Sequence, residues 1–169
     1  DFEINLPQSR LTIDSVKATY NYENIKETTK YSIYNIDASI TTSDIVCLAP
    51  QLKSYNNSIL LNALVNGTSE EVSFPEIKIK SSNGDLNLLT NGSVNISKTK
   101  KAWNANVNDL TIGKTAIVFI DNNIVHLPEP ILKLGSITWR GTLGCNNEGT
   151  FSADGDIMTD IGAAKATLL

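Results

Sequence analysis

A strict two-residue alternation of apolar and polar side chains is the feature that most constrains what this chain can fold into. It is clearest in residues 134–169, LGSITWRGTLGCNNEGTFSADGDIMTDIGAAKATLL. Side chains alternate between the two faces of a β-strand, so each alternating run predicts a strand with one apolar and one polar face. The apolar positions are Ile137, Trp139, Gly141 and Leu143, then Phe151, Ala153, Gly155 and Ile157, then Ala164, Ala166 and Leu168. Turn residues at Gly144–Gly149 and Asp160–Gly162 separate the three runs, which predicts an antiparallel meander.

The same alternation recurs upstream, with turn residues at regular intervals. Tight turns are expected at Ser82–Asp85 and at Thr99–Lys101. Six further strands are predicted at Leu11–Tyr22, Tyr31–Ile40, Asn57–Gly67, Val72–Lys80, Leu86–Ser97 and Ala102–Ile112. Because the pattern contains no strong amphipathic helix, the sequence predicts an all-β antiparallel meander of roughly ten strands.

Three segments depart from the alternation. Thr41–Leu52 favours equally a short helix that Pro50 would stop and a crossover at a strand edge. Pro75 cannot donate a backbone hydrogen bond, so it marks a strand start, an edge or a bulge. Thr115–Leu132 holds the continuous apolar run AIVFI, which indicates a segment that is buried on both sides or switches faces, with a turn at Asp121–Asn123.

Length and charge exclude several classes of function. The 169 residues suffice for one domain or one long sheet, and residues 1–169 are expected to form a single all-β module. The net charge is −4 and the basic residues form no stripe, so no nucleic-acid partner is expected. No apolar run approaches the roughly 18 residues of a membrane helix. Asp1 is not a natural start, so the chain is expected to be a fragment of a longer protein.

No catalytic constellation stands out among the residue types that usually carry chemistry. His126 is the only histidine and has no motif around it, and Glu70–Glu71 falls in an expected loop. Asp154, Asp156 and Asp160 alternate near a turn but lack the further ligands of a calcium loop. The sequence therefore predicts no enzyme, no metal site and no cofactor.

The two cysteines, Cys47 and Cys145, are far apart in the sequence and lie in dissimilar contexts. Neither belongs to a CxxC motif or has a neighbouring histidine, which argues against metal and redox chemistry. A disulfide and two separate thiols both fit the sequence, and we expect no disulfide that the fold requires.

The remaining feature is the apolar side of the expected sheet. A sheet must cover such a side, either with a second sheet or with a ligand that is itself apolar. Alanine and glycine interrupt the apolar positions, which either leaves space for acyl chains or lets the sheet curve. The residues expected to line this side as one continuous, concave surface are Ile36, Ala38, Ile59, Leu61, Ile77, Ile79, Leu88, Val94, Trp103, Val107, Ile137, Trp139, Phe151 and Ile157.

The pattern LGSITWRGTLG…EGTFSADGDIMTDIG, from Leu134 to Gly162, resembles a segment of the TamB proteins in their Bacteroidetes form. In that family a strand ending in an aromatic–basic–Gly step is followed by a turn, a second strand running to Gly, and a Thr-rich turn to Gly. Ile40–Ile45 and Leu61–Thr68 are similar to further phrases of the family. The turn at Cys145–Asn147 departs from the pattern, which has more apolar residues there.

The resemblance implies a periplasmic section of a TamB/AsmA-like protein that is anchored in the inner membrane of a Gram-negative envelope. Sheets of this family curl into an open U-shaped trough with an apolar lining, the β-taco; a β-sandwich or β-solenoid is the alternative architecture. The implied function is to bind phospholipid acyl chains and conduct them between the inner and outer membranes, with a role in outer-membrane protein assembly. The implied partners are phospholipid, a TamA-like outer-membrane barrel and neighbouring trough segments of the full-length chain. The alternative function is a structural or adhesive all-β module of the cell envelope.

Overall fold

The computed structural model describes residues 2–55, 57–95, 97 and 101–168, which form ten strands and several short helices. The strands are β1 (Phe2–Asn5), β2 (Arg10–Thr19), β3 (Lys30–Thr41), β4 (Ser58–Thr68), β5 (Glu71–Ser81), β6 (Leu86–Asn95), β7 (Trp103–Ile112), β8 (Ile137–Cys145), β9 (Phe151–Thr159) and β10 (Gly162–Leu168). The α-helices are α1 (Ile25–Thr28), α2 (Thr42–Ile45), α3 (Lys114–Asn123) and α4 (Glu129–Leu132), and the 3₁₀ segments are Tyr22–Asn24 and Pro50–Ser54. The turn predicted at Thr99–Lys101 falls mainly on residues 99 and 100, which lie outside the described residues.

Each strand pairs antiparallel with its neighbours in the sequence, so the described strands form one sheet in the order β1 to β10. This arrangement confirms the predicted all-β antiparallel meander, and the sheet is not closed into a barrel. Because the described strands do not divide into two packed sheets or stacked coils, the sandwich and solenoid alternatives are wrong. The sequence pattern missed β1, whose two apolar residues, Phe2 and Ile4, alternate too briefly to stand out.

Bulges interrupt the middle of three alternate strands. The register slips by one residue in β3 between Ile33 and Ile36, in β5 between Phe74 and Ile77, and in β7 between Val107 and Leu110. A bulge adds one residue to a strand, bends the strand and increases its twist. One regular strand separates each bulged strand from the next, so the bends line up across the sheet. Pro75 lies inside the β5 bulge, so of the three positions predicted for it (a strand start, an edge or a bulge) the bulge is correct.

Each bulge also changes which sequence positions are apolar. In β3 the apolar side chains occupy odd positions up to Ile33 and even positions from Ile36 onward. In β7 they are odd up to Val107 and even from Leu110, and β5 switches in the opposite sense. Because one extra residue flips the side-chain alternation, both halves of each strand present their apolar residues to the same side of the sheet.

Two long connections meet at one end of the sheet. The β3–β4 connection carries α2 and Pro50–Ser54, and the β7–β8 connection carries α3 and α4. Both leave the sheet at the same end, because the odd-numbered strands of a meander all run in one direction. The ring centroids of Tyr55 and Phe119 are 4.8 Å apart, and the Ser54 hydroxyl donates a 2.8 Å hydrogen bond to Asn123 Oδ1. These contacts join the two connections into one helical cap.

Helix α3 corrects the expectation for Thr115–Leu132. The run AIVFI is helical rather than extended, and the turn expected at Asp121–Asn123 is the last part of the same helix. Asp85, in the β5–β6 turn, caps the helix: its carboxylate accepts a hydrogen bond from the Ala116 N–H, and its carbonyl accepts one of 2.7 Å from the Gly113 N–H. The cap comes from a distant turn, so the sequence around α3 lacks the usual signal for a helix start.

The short helix is the correct interpretation of Thr41–Leu52. Helix α2 begins at Thr42, which is 2% exposed. The Thr42 N–H donates a 3.0 Å hydrogen bond to the Asn57 carbonyl, and the Thr42 hydroxyl accepts one of 3.2 Å from the Asn57 N–H. Pro50 does not stop α2 directly but begins the 3₁₀ segment that follows it. The helix is thus tied to the residue that precedes β4.

Asp160 fastens the end of the β7–β8 connection to the turn between β9 and β10. The hydroxyl and the backbone N–H of Ser136 both donate hydrogen bonds to its carboxylate, the latter at 3.1 Å. The Asp160 N–H donates a 3.1 Å hydrogen bond to the Leu134 carbonyl. Hydrogen bonds to a carboxylate favour its charged form, so the Ser136 hydroxyl and then the Ser136 N–H lower the pKa of Asp160 below its ordinary value of 3.8.

We expect this contact to weaken in acid. A carboxyl group with a lower pKa in the folded chain stabilises the fold above its unfolded pKa, and the stabilisation is lost as pH falls through the folded pKa. In an NMR titration Asp160 should titrate below pH 3.8, and Ser136→Ala should raise its pKa. Thr138→Ala removes a hydroxyl that contacts Thr111 instead and should leave the Asp160 titration unchanged. An identical Asp160 pKa in the wild type and in Ser136→Ala would contradict this prediction.

Candidate functional site: the apolar face

Residues that face each other across an antiparallel pair lie on the same side of the sheet, so the register defines its two faces. One row of direct neighbours crosses all ten described strands: Ile4, Leu11, Ala38, Leu61, Ile79, Leu88, Leu110, Trp139, Ile157 and Ala164. A second row lies beside it: Phe2, Ile13, Ile36, Ala63, Ile77, Thr90, Val107, Gly141, Gly155 and Ala166. Shorter rows are Ile40–Ile59, Leu86–Ile112–Ile137, Phe74–Gly92–Ala105–Leu143–Ala153–Leu168 and Tyr31–Gly67–Val72–Val94–Trp103–Cys145–Phe151. We call the side of the sheet that carries these rows the apolar face.

The apolar face brings together all fourteen residues that the sequence pattern assigns to one side, and each occurs in one of the rows above. Their role in contacting lipid stays a prediction. The predicted set omits Val65, which continues the regular alternation of β4. It also omits Val16, Ile33, Val72 and Phe74, which lie on the same face beyond the bulges. For these four residues, the switch between odd and even apolar positions within a strand is the signal that could have found them.

No residue in these rows is charged, although the long rows extend about 43 Å across the nine gaps between strands. The charged side chains of the strands lie on the opposite face, where polar groups pair across strands. There Asn62 donates a hydrogen bond to Asp37, and Asn87 donates one to Asp109. Asp109 also pairs with Arg140 at 3.2 Å. The two faces therefore differ sharply in chemistry, as expected for a sheet with one side in water and one side meant for apolar contact.

The sheet curls around part of the apolar face. A groove of about 700 Å³ is lined by apolar-face residues of β6 to β10, among them Leu88, Leu110, Trp139 and Leu168. Strands β6 and β10 are four strand spacings apart, about 19 Å in a flat sheet, yet side chains of both border the same groove. This part of the sheet is therefore concave on its apolar side.

Protein does not fill the apolar face as it would fill the core of a sandwich. Among the described residues no side chain is less than 2% exposed, and the buried apolar residues are mainly small. Val94 is 37% exposed and Phe151 is 42% exposed, although both lie in a row with Trp103. A dry core between two layers would exclude water from such residues, so the face is open.

Glycines on the apolar face mark where a neighbouring strand lies too close for a side chain. A Cβ atom on Gly92 would overlap the Asn104 carbonyl oxygen, and one on Gly141 would overlap the Asp154 carbonyl oxygen. A Cβ on Gly155 would stand 2.5 Å from another backbone carbonyl oxygen of the neighbouring strand. Of the two roles predicted for the small residues, these glycines therefore serve curvature.

Aromatic rings cover two glycines of the face. The ring of Tyr31 occupies the place where a Cβ on Gly67 would stand, and the Trp139 indole lies over Gly155. Trp103 and Phe151 pack with ring centroids 5.9 Å apart, toward the end of the sheet away from the helical cap. Both tryptophans of the chain therefore lie on the apolar face.

Residue types that could carry other chemistry are scattered. In the parts of the chain that the structure describes, no three His, Cys, Asp or Glu side chains are placed to hold a metal ion. The His126 side chain is 89% exposed, with its Nδ1 3.0 Å from Asp121 Oδ1. Cys47 is exposed in the helical cap, Cys145 lies at the end of β8, and both are free thiols. No helix within the described ranges is long and apolar enough to cross a membrane.

The apolar face is thus the one extended feature of the described chain that is not explained by its own packing. Comparison of the chain with protein-family models, with curated proteins and with solved structures found no match.

Proposed function

We propose that the apolar face binds phospholipid acyl chains and conducts them along the sheet, in a periplasmic section of a TamB/AsmA-like protein that links the inner and outer membranes. The observation that supports this proposal is an uncharged face that crosses all ten described strands and has no second sheet over it. A role in outer-membrane protein assembly beside a TamA-like barrel belongs to the same proposal and rests on the resemblance alone.

An acyl chain suits this face because it needs only apolar contact. Burial contributes about 25 cal/mol per Å², or about 0.8 kcal/mol for each methylene group removed from water. The long rows of apolar residues run from strand to strand, so an acyl chain could advance across the sheet without meeting a charge. The charged headgroup would stay in water at the open side of the trough, where no protein partner is required.

A structural or adhesive module is the alternative function, and it differs in what the face contacts. Such a module would pack its apolar side chains against another protein layer. The exposure of Val94 and Phe151 to water in the free chain would then be energetically unfavourable. The two functions can be separated by asking whether acyl chains touch the tryptophans of the face.

We expect phospholipids with brominated acyl chains to quench the fluorescence of Trp103 and Trp139, because bromine quenches an indole that it contacts. The same phospholipid without bromine should leave the fluorescence intensity nearly unchanged. The single-tryptophan variants Trp103→Phe and Trp139→Phe would show whether acyl chains reach both tryptophans of the apolar face. Native mass spectrometry of the gently purified protein should also detect bound phospholipid.

The matched control moves the only tryptophan to the opposite face. In a chain carrying Trp103→Phe, Trp139→Phe and Leu60→Trp, the indole would stand at a position that is 48% exposed on the charged side of β4. Brominated phospholipid should quench this indole little. Equal quenching in the control, or no quenching of either native tryptophan, would rule out acyl-chain binding on the apolar face.

A further inference from the structure

An Asn-Gly pair at the tip of the β5–β6 turn differs from the other Asn-Gly pairs of the chain. Asparagine is followed by glycine at three positions, Asn66, Asn83 and Asn91. Asn66 and Asn91 are half-buried inside β4 and β6, and each of these strands is paired with a neighbour on both sides. Asn83 and Gly84 are both exposed in the turn. Of the three pairs, this one can change its backbone conformation without disturbing the sheet.

Asparagine followed by glycine can lose its side-chain amide without an enzyme. The glycine nitrogen attacks the asparagine Cγ, so a bond forms between these two atoms and the Cγ–Nδ2 bond breaks. Ammonia leaves with the proton of the glycine N–H, and a cyclic succinimide remains. Water then opens the ring. Attack at Cγ gives aspartate, and attack at the backbone carbonyl gives isoaspartate, in which the main chain runs through the side chain.

The conformation of the turn permits this attack at Asn83. Gly84 has a φ of +76°, which glycine adopts without strain, and it has no side chain to hinder its nitrogen. The Gly84 N–H donates a 3.0 Å hydrogen bond to the Ser81 carbonyl, and this bond must open before the nitrogen can attack. Opening it disturbs one exposed turn. At Asn66 and Asn91 the same step would require two paired strands to separate, which has a much larger opening free energy.

Hydrogen bonds polarise the Asn83 side chain toward the attack. Its Oδ1 atom accepts a 2.6 Å hydrogen bond from the Ser81 hydroxyl and a 3.0 Å hydrogen bond from the Asp85 N–H. The Ser81 hydroxyl in turn accepts a 2.8 Å hydrogen bond from the Leu86 N–H, which strengthens it as a donor. Negative charge develops on Oδ1 when Cγ is attacked. The two donors therefore act as an oxyanion hole for the reaction.

We propose that Asn83 is a site of spontaneous deamidation, activated by the Ser81 hydroxyl and the Asp85 N–H. Water is the only co-reactant. The reaction does not depend on lipid binding, so it can be tested whether or not the apolar face binds acyl chains.

Deamidation at this turn would loosen the helical cap. Asp85 holds the start of α3, because its carboxylate accepts a hydrogen bond from the Ala116 N–H and its carbonyl accepts one from the Gly113 N–H. An isoaspartate at position 83 adds one carbon to the main chain two residues before Asp85. It also removes the amide oxygen that the Asp85 N–H contacts. Both changes move Asp85 away from the start of α3.

Peptide mapping by mass spectrometry tests the site, with the two strand positions as internal controls. During incubation of the whole chain in mildly alkaline buffer, Asn83 should convert at least roughly 100-fold faster than Asn66 or Asn91. Both isoaspartate and aspartate should form, and the rate should rise with pH because the Gly84 nitrogen loses its proton. Asn83→Gln should abolish this conversion. Comparable rates at all three positions, or an unmodified Asn83, would overturn the proposal.

Ser81→Ala separates activation of the amide from simple exposure of the turn. If the hydroxyl stabilises the developing charge, Asn83 should convert roughly tenfold more slowly in this variant, although the turn is looser. Ser81→Thr keeps the hydroxyl and should restore the rate. An unchanged or faster conversion in Ser81→Ala would refute the activation. In fully converted protein the Ala116 amide should exchange its hydrogen faster than in fresh protein, and equal exchange would refute the effect on the helical cap.

Discussion

Leu61→Asp should weaken phospholipid binding roughly 100-fold and leave the fold intact, since a carboxylate against hydrocarbon costs about 2.5–3.5 kcal/mol and each 1.4 kcal/mol is tenfold. Leu61 lies in the middle of β4, between Ala38 and Ile79 in the row that crosses the whole sheet. An acyl chain moving along that row must pass this position. In the lipid-free protein the trough is open, so the carboxylate stays hydrated and the folded chain tolerates it. Melting temperature and tryptophan quenching by brominated lipid should be measured on the same sample.

The adjacent residue provides a control that differs only in face. Leu60 is 48% exposed on the charged side of β4, where it lines a cavity of about 500 Å³ with Arg10, Lys78 and Lys80. Leu60→Asp adds the same charge in a favourable environment, so both stability and lipid binding should stay near those of the wild type. Val94→Asp, at a position that is 37% exposed on the apolar face, should reproduce the loss of binding.

A different result would point to a covered face. If Leu61→Asp unfolds the chain while Leu60→Asp does not, the apolar face is dry and the new carboxylate is buried without a partner. Breaking a core in this way costs several kcal/mol, comparable with the whole stability of a domain. That outcome would end the proposal of an open lipid trough.

The meander and the lining of the apolar face were predictable because both follow from local alternation. Residues such as Ile137, Trp139 and Ile157 repeat with a period of two, and short turns join successive strands. A strand pairs with its sequence neighbour most often, so a chain of evenly spaced strands has few alternative topologies. The face of each residue then follows from its register.

Features that depend on distant contacts were not predictable in the same way. Helix α3 is capped by Asp85, a residue of another turn, so the run AIVFI alone resembles a buried strand. The bulges did leave a local signal, the change from Val107 to Leu110 in the phase of the apolar positions. A bulged strand has its apolar residues at odd positions in one half and at even positions in the other. A pattern that requires uninterrupted alternation therefore does not identify it as one strand.

The curvature of the sheet was only partly predictable from the sequence. Glycine and alanine on the apolar face indicated either free space or curvature, and composition could not separate the two. The structure separates them through backbone geometry, because the space that a side chain on Gly92 or Gly141 would need is occupied by a neighbouring strand. Curvature is therefore encoded by which glycines lack room for a side chain, a property that appears only after the strands are paired.

Gly92→Ala should destabilise the protein by roughly 1–3 kcal/mol and lower its melting temperature by roughly 2–12 °C. The added methyl group would overlap the Asn104 carbonyl oxygen and stand 3.0 Å from the Ala105 Cα. Both are backbone atoms of β7, so no side-chain rotation can relieve the overlap, and β6 and β7 must move apart or flatten. Gly141→Ala should act in the same way against the Asp154 carbonyl oxygen.

Gly162→Ala is the matched control, because nothing lies within 4 Å of the place where its Cβ would stand. That substitution also lowers the conformational entropy of the unfolded chain, so it should be neutral or stabilise the fold by about 0.4–1 kcal/mol. Thermal unfolding of the three variants by circular dichroism would check the ranking. If Gly92→Ala and Gly162→Ala have the same melting temperature, the glycines do not maintain the curvature of the sheet. The small residues of the apolar face must then be interpreted as space for acyl chains. If Gly92→Ala melts lower but still binds lipid as tightly, the curve supports the fold without shaping the groove.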